Sequence, residues 1–221
     1  MAGRKDEEII HTCMKNIISF GHDCQIGREL ERHGHTLNKA VSDIGTSSLA
    51  GLIHILETDF VDFFAPDSLF IIGKIGTQMA FQDTRNRMIC GIPIKTMTPD
   101  EHPTVQIARY VTNKRKNFDE LFHILKTENY VQILRSNINE ESLEDIVRLR
   151  DLVFEFRNGL DFDMYVFQDT KFMNDNWGVP NLHTFQLQHW IWKDKWVGES
   201  DVWKKVFLML NAHRDHRIKL I

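Results

Sequence analysis

The chain has 221 residues, of which 42% are hydrophobic and 26% are charged, as is usual for a soluble protein. Its 27 Lys and Arg residues against 31 Asp and Glu residues give a formal net charge of −4, which argues against a protein that binds duplex nucleic acid. Its apolar runs are shorter than the roughly 18 residues that a membrane-spanning helix needs, and the charged start MAGRKDEEIIHT lacks the apolar core of a signal peptide, so we expect a cytoplasmic protein.

The N-terminal part of the chain predicts two helices with a short strand between them. Asp6–Lys15 is compatible with a short helix. The apolar run Asn16–Phe20 predicts a buried strand that ends at Gly21. After Cys24 the apolar residues recur at helical spacing, and Gly34 is typical of a helix end.

The middle of the chain predicts an amphipathic helix, several short strands and a long helix. A polar loop over residues 36–46 precedes the first of these helices. Its apolar positions are Leu49, Leu52, Ile53 and Leu56. Residues 68–97 alternate between apolar runs and turn residues, which indicates short strands. From Pro103 the pattern predicts a long helix whose basic face is formed by residues 114–116.

The C-terminal part again alternates strands and helices. Tyr130–Leu134 predicts a strand, and Glu140–Arg157 predicts a helix. Met164–Phe167 and Thr184–Trp190 predict two further strands, and a last helix is expected to start at Ser200. Because strands and helices alternate loosely and no linker is visible, we expect a single domain of the α+β class.

The segment that joins the first strand to the next helix is the most informative one for chemistry. The strand ends in a tight turn at Gly21, and Cys24 lies where the helix begins. The unpaired N–H groups and partial positive charge of a helix N-terminus stabilise a thiolate, so the pKa of a cysteine there is expected to fall. Backbone N–H groups at Gly21, Asp23 and Cys24 could also stabilise an oxyanion. A small buried cysteine is the ordinary alternative for this position.

Five segments of the chain match, in order, the motifs of one protein family. ISFGHDCQIGRELERHG resembles its opening strand, Ser-Leu-Gly-x-x-Cys motif and helix, and AVSDIGTSSLAGLIHILETDFVDFF resembles its Pro-Phe-Asp-Trp segment and the helix after it. EHPTVQIARYVTNKRKNFDELFHIL resembles its histidine segment and basic helix, and YVQILRSN resembles a strand that ends in arginine, here Arg135. DNWGVPNLHTFQLQHWIWKDKWVGESDVWKKVF resembles its Trp-rich ending. The family is that of the papain-like cysteine peptidases called domain of unknown function 1796, and the resemblance spans residues 16–208.

The resemblance implies a papain-like domain over residues 16–221, with an N-terminal helical extension over residues 1–15. It implies that Cys24 is the nucleophile and His102 the general base of a thiol-dependent hydrolase or acyltransferase that acts on a peptide, isopeptide or amide bond. Histidine suits this role because its ordinary pKa lies near neutral pH. The residue that orients the imidazole is left open among Asp43, Asp175 and Asn176. The expected partner is a peptide or protein substrate, without nucleic acid or membrane.

Other interpretations of the same residues stay open. His102 precedes Pro103 and could simply cap a helix, and Ile44 replaces the Trp of the family motif, which suits an inactive papain-like binding module. A metal site is the chemical rival, but its candidate ligands lack a known zinc spacing, so we expect neither metal nor cofactor. Those candidates are His22, Cys24, His33, His35, His183 and His189. Cys13 and Cys90 are expected to be small core residues.

Overall fold

The computed structural model of the protein describes residues 17–21, 26, 45–61, 63–137, 141–169, 177–187 and 200–218. The helix expected over Asp6–Lys15 lies outside these residues. Of the helix expected after Cys24, only Ile26 is described, and it is helical and buried.

Eight strands and four α-helices are found in the described part of the chain. In chain order they are β1 (Ile17–Ser19), β2 (Gly45–Ser47), α1 (Leu49–Glu57), β3 (Leu69–Ile75), β4 (Gln78–Asp83), β5 (Met88–Pro93), α2 (Pro103–Thr127), β6 (Tyr130–Asn137), α3 (Leu143–Phe156), β7 (Asp161–Asp169), β8 (Leu182–Leu187) and α4 (Ser200–Ile218).

Most of the elements predicted from the sequence are present, with shifted ends. The helices expected from Leu49, Pro103 and Ser200 are confirmed. The helix expected from Glu140 begins at Leu143 instead, because the side chain of Ser142 accepts a hydrogen bond from the backbone N–H of Asp145 and so caps the first turn.

The assignment of residues 36–46 to a loop was wrong at its C-terminal end. Gly45–Ser47 forms β2, which pairs antiparallel with β5. The segment carries no apolar alternation, and its extended conformation comes from backbone hydrogen bonds to a strand more than 40 residues further along the chain. A pairing of this kind leaves no local pattern in the sequence.

The centre of the fold is a four-stranded parallel sheet with the strand order β1-β6-β7-β8. One face carries Ile133 and Met164 and belongs to the larger core cluster, which includes residues of α1, α2 and α3. The other face carries Tyr165, which packs with Trp203 of α4 and with Ile26. Burial on both faces explains why the middle of each strand, Ile133–Leu134 and Met164–Phe167, is a continuous apolar run rather than an alternating one.

A second sheet is antiparallel, with the order β2-β5-β4-β3. It packs on α2 through Phe81, whose ring meets that of Tyr110 edge-on at 6.0 Å. Both sheets and the helices α1, α2 and α3 share one large core cluster, which is consistent with the predicted α+β class and a single domain. Among the described residues, no helix is long and apolar enough to cross a membrane.

Gly51 of α1 lies where that helix meets the turn between β4 and β5. A Cβ atom added there would be 2.1 Å from the carbonyl oxygen of Asn86, which is backbone and cannot rotate away. We therefore expect Gly51→Ala to lower the free energy of unfolding by about 1–3 kcal/mol in urea denaturation. The neighbouring exposed residue provides the control, since Ala50→Ser should cost less than about 0.5 kcal/mol. Equal stability of the two variants would show that this contact is not tight.

Candidate active site

The candidate site begins where β1 leaves the parallel sheet. Its last pairing is Ser19 with Leu134, and the backbone N–H of Phe20 still donates to the carbonyl of Leu134 at 2.7 Å. The N–H of Gly21 then donates to Oγ of Ser19 at 3.3 Å. Both Phe20 and Gly21 are buried, so the end of this strand lies inside the protein. In parallel sheets, ligands bind at the carboxyl ends of the strands, which is the edge where β1 ends.

Cys24 and Asp23 lie outside the described residues, so of the predicted oxyanion residues the structure describes only Gly21. The next described residue is Ile26, which is helical and fully buried. It belongs to the smaller core cluster, which contains Tyr165 of β7 and Trp203 of α4. In the sequence, Cys24 falls between Gly21 and Ile26, both of which are buried. The strand that was expected before Cys24 is confirmed as β1, and of the tight turn expected after it only Gly21 is described.

A buried arginine contacts the same turn, and the sequence analysis did not assign it a site role. Arg135, on β6, is fully buried, and its Nη1 donates to the carbonyl oxygen of Phe20 at 2.6 Å. Its Nε donates to Oε2 of Glu141 at 3.1 Å, and its Nη2 donates to the other carboxylate oxygen. The sequence held one signal for this role, which is that Arg135 directly follows the apolar run of a predicted strand. An arginine in a buried strand needs a partner for its charge, so a paired arginine could have been expected here.

His102 is the N-cap of α2 and is exposed to solvent. Its Nδ1 accepts a hydrogen bond from the backbone N–H of Thr104 at 3.3 Å, and Pro103 is the first helical residue, where a missing N–H costs nothing. The capping role that the sequence left open is therefore present. The neighbouring carboxylate of Glu101 is engaged by Arg109.

The capping hydrogen bond and proton uptake at Nδ1 of His102 exclude each other. Nδ1 can accept the N–H of Thr104 only while Nδ1 itself carries no proton. General-base action through this nitrogen would therefore release the N–H of Thr104.

A second histidine–carboxylate pair lies elsewhere on the sheet. Nε2 of His183 is 2.8 Å from Oδ1 of buried Asp163, and the hydroxyl of Tyr130 donates to Oδ2 of the same carboxylate at 2.7 Å. His183, Tyr165, Leu134 and Ser19 form one row across the four strands. Three strand spacings, about 14 Å, therefore separate His183 from β1, so this pair is not the partner of the Gly21 turn.

The remaining predicted residues divide between described and undescribed parts of the chain. Asp43, Asp175 and Asn176, the candidates for the orienting residue, lie outside the described residues, as does Cys13. Cys90 is a buried core residue as expected, and burial raises the pKa of its thiol far above the ordinary value. No group of three or more metal-binding side chains occurs among the residues that the structure describes.

Comparison with known proteins yields one match. The sequence model of the family described as "Putative papain-like cysteine peptidase (DUF1796)" matches residues 15–170, which is more than half of the chain. No curated protein and no solved structure matches. The matched range includes Cys24, Asp43 and His102 but ends before Asp175 and before the Trp-rich ending that also resembled the family. The chain belongs to this family of papain-like cysteine peptidases.

Proposed function

We propose that this family member is a thiol hydrolase in which Cys24 attacks the carbonyl carbon of a peptide, isopeptide or amide bond and His102 moves the proton. Membership of a peptidase family suggests the thiol hydrolase class and a peptide or protein substrate. The observation that supports the residue assignment is the end of β1, where a buried strand and the buried Gly21 directly precede the segment that holds Cys24.

The proposed chemistry proceeds through an acyl-enzyme. His102 takes the thiol proton, and Sγ of Cys24 forms a bond to the carbonyl carbon, whose oxygen becomes an oxyanion held by backbone N–H groups at Gly21, Asp23 and Cys24. The C–N bond then breaks, and the leaving amine takes the proton from the imidazolium. Attack by water releases the acid, whereas attack by an amine acceptor gives acyl transfer from the same intermediate.

The course of α2 supports the pairing of Cys24 with His102. The C-terminal end of α2 lies at the amino edge of the parallel sheet, because Arg157 donates both to the carbonyl of Leu125 in α2 and to the carbonyl of Asp161 at the start of β7. A helix of 25 residues is about 37 Å long, whereas the eight residues of β6 span about 27 Å. The helix is thus long enough for its N-terminal His102 to reach the carboxyl edge, where β1 ends.

The orienting residue stays a choice among Asp43, Asp175 and Asn176. Asp43 is favoured by one finding, since the family match covers this position and ends before the other two.

The test is the reactivity of Cys24 with iodoacetamide at pH 6, in a Cys13→Ser, Cys90→Ser variant in which Cys24 is the only cysteine. An ordinary thiol with a pKa of about 8.5 is less than about 1% thiolate at that pH. A thiolate stabilised by a helix N-terminus and an imidazolium is expected to react at least about tenfold faster than free cysteine. Alkylation at the rate of free cysteine would contradict the hydrolase and favour the inactive binding module.

A further inference from the structure

We infer that Arg135 is a positioning residue for Cys24, which it serves by fixing the backbone of the turn that precedes this cysteine. The inference rests on the proposed function, because it assigns to Arg135 a role in the activation of the Cys24 thiol. The proposed effect of Arg135 passes through the peptide unit between Phe20 and Gly21.

Both polar groups of that peptide unit are held by side chains. The carbonyl oxygen of Phe20 accepts from Nη1 of Arg135 at 2.6 Å, and the N–H of Gly21 donates to Oγ of Ser19 at 3.3 Å. The peptide plane is therefore held from both sides, three residues before Cys24. Because the chain passes from this peptide unit to the helical residue Ile26 in only five residues, we expect the orientation of the unit to influence the direction of the N–H groups that would stabilise the thiolate.

The guanidinium is itself held in one orientation. Its Nε and Nη2 both face the carboxylate of Glu141, a forked arrangement with two parallel hydrogen bonds. The side chain of Arg135 is 0% exposed and that of Glu141 is 8% exposed, so solvent does not compete for this pair. Glu141 directly precedes Ser142, the N-cap of α3. The pair thus connects the end of β1, the end of β6 and the start of α3 at the carboxyl edge.

General stability alone is a weak explanation for this buried ion pair. Removing two charges from water costs about as much as their attraction returns, and apolar residues of similar size often stabilise a core as well or better. What apolar residues cannot do is donate a directed hydrogen bond to the carbonyl of Phe20 while holding the donor in a fixed plane. Lysine cannot do so either, since its ammonium has no forked geometry.

Arg157 provides a matched control at the opposite edge of the same sheet. It is also fully buried and donates to backbone carbonyls, those of Leu125, Glu128, Leu160 and Asp161. Burial lowers the pKa of Arg157 to about 10, which leaves it protonated at neutral pH. Substituting lysine at either position removes a buried guanidinium that donates to a backbone carbonyl, but of the two arginines it is Arg135 that donates to Phe20, at the end of β1.

The experiment compares Arg135→Lys with Arg157→Lys, both in the variant whose only cysteine is Cys24. The rate of alkylation by iodoacetamide is measured from pH 5 to pH 9, together with the melting temperature. We expect Arg135→Lys to lower the alkylation rate of Cys24 at pH 6 by about tenfold. The pH dependence of this rate should also move to higher pH, because a misaligned helix N-terminus stabilises the thiolate less. Arg157→Lys should lower the melting temperature and leave the pH dependence of Cys24 alkylation unchanged.

A third variant, Glu141→Gln, retains Arg135 and loses only the charge that orients it. It is expected to shift the pH dependence of alkylation in the same direction by a smaller amount. If Arg135→Lys does not fold, this variant alone tests whether Arg135 positions Cys24. If the folded variants at positions 135 and 141 show the parental pH dependence of alkylation, the inference about Arg135 is overturned and the proposed function is not affected. An ordinary thiol profile in the parent protein would overturn the proposed function, and the inference with it.

Discussion

His102→Asn is expected to lower the rate at which Cys24 is alkylated at pH 6 by about 10- to 100-fold. An imidazolium beside a thiolate favours the charged form of the thiol by one to two pKa units, and asparagine cannot become a cation. Asparagine is chosen because it is among the best N-cap residues, so its side-chain oxygen can replace Nδ1 as the acceptor for Thr104. The variant therefore removes the base and keeps the start of α2.

The control for this variant lies on the same helix. His123 is exposed and lies near the C-terminal end of α2, at the opposite end from His102. His123→Asn should leave the alkylation rate unchanged, so the two variants separate loss of a nearby imidazole from loss of any histidine. Suppose that Cys24 is alkylated faster than free cysteine in the parent protein and at the same rate in both variants. Another group would then activate Cys24, and His102 would serve only as the N-cap of α2.

Asp83→Ala is expected to lower the free energy of unfolding by about 3–5 kcal/mol, measured by urea denaturation. This carboxylate is completely buried at the end of β4 and accepts hydrogen bonds from five donors. The donors are the backbone N–H groups of Phe64, Arg85 and Asn86, Oγ of Ser68 and Nδ2 of Asn86. Alanine would leave several of these donors buried without an acceptor, and each such donor costs about 1–3 kcal/mol.

A second aspartate in the same region provides the comparison. Asp67 forms an ion pair with Arg85 at 2.5 Å, but both side chains are largely exposed, at 67% and 41%. Asp67→Ala should therefore cost less than about 1 kcal/mol, because solvent screens an exposed ion pair. If the two substitutions lower the free energy of unfolding by similar amounts, water satisfies the donors around position 83 in the Asp83→Ala variant.

The outcome at Asp83 bears on how the antiparallel sheet joins the rest of the protein. Asp83 binds Phe64, which follows α1, and Asn86, whose carbonyl oxygen lies against Gly51 of that helix. The start of the turn between β4 and β5 is therefore hydrogen-bonded to the segment that follows α1, and the turn itself lies in close contact with α1 at Gly51. Nothing in the local sequence around Asp83 distinguishes it from an exposed turn aspartate, and only its burial reveals its importance.

Local pattern was sufficient for the elements whose signal is contained in a few neighbouring residues. The helical spacing from Leu49, the proline at position 103 and the apolar run from Tyr130 each predicted the element that is present. The strand before Cys24 was predicted in the same way. These predictions succeed because periodicity and turn residues act over one or two turns of chain, which is the range that a sequence displays directly.

The resemblance to the family, the order of most elements and the choice of Cys24 as candidate nucleophile came from the amino-acid sequence, because motifs and periodicity are local. The folded chain was needed to show that β1, β6, β7 and β8 form one parallel sheet. It was also needed to show that Arg135 binds the carbonyl of Phe20, more than 100 residues away, and that His183 pairs with Asp163 far from β1. These contacts join strands that are distant in the chain, and their hydrogen bonds and charges become strong only when folding removes water from around them.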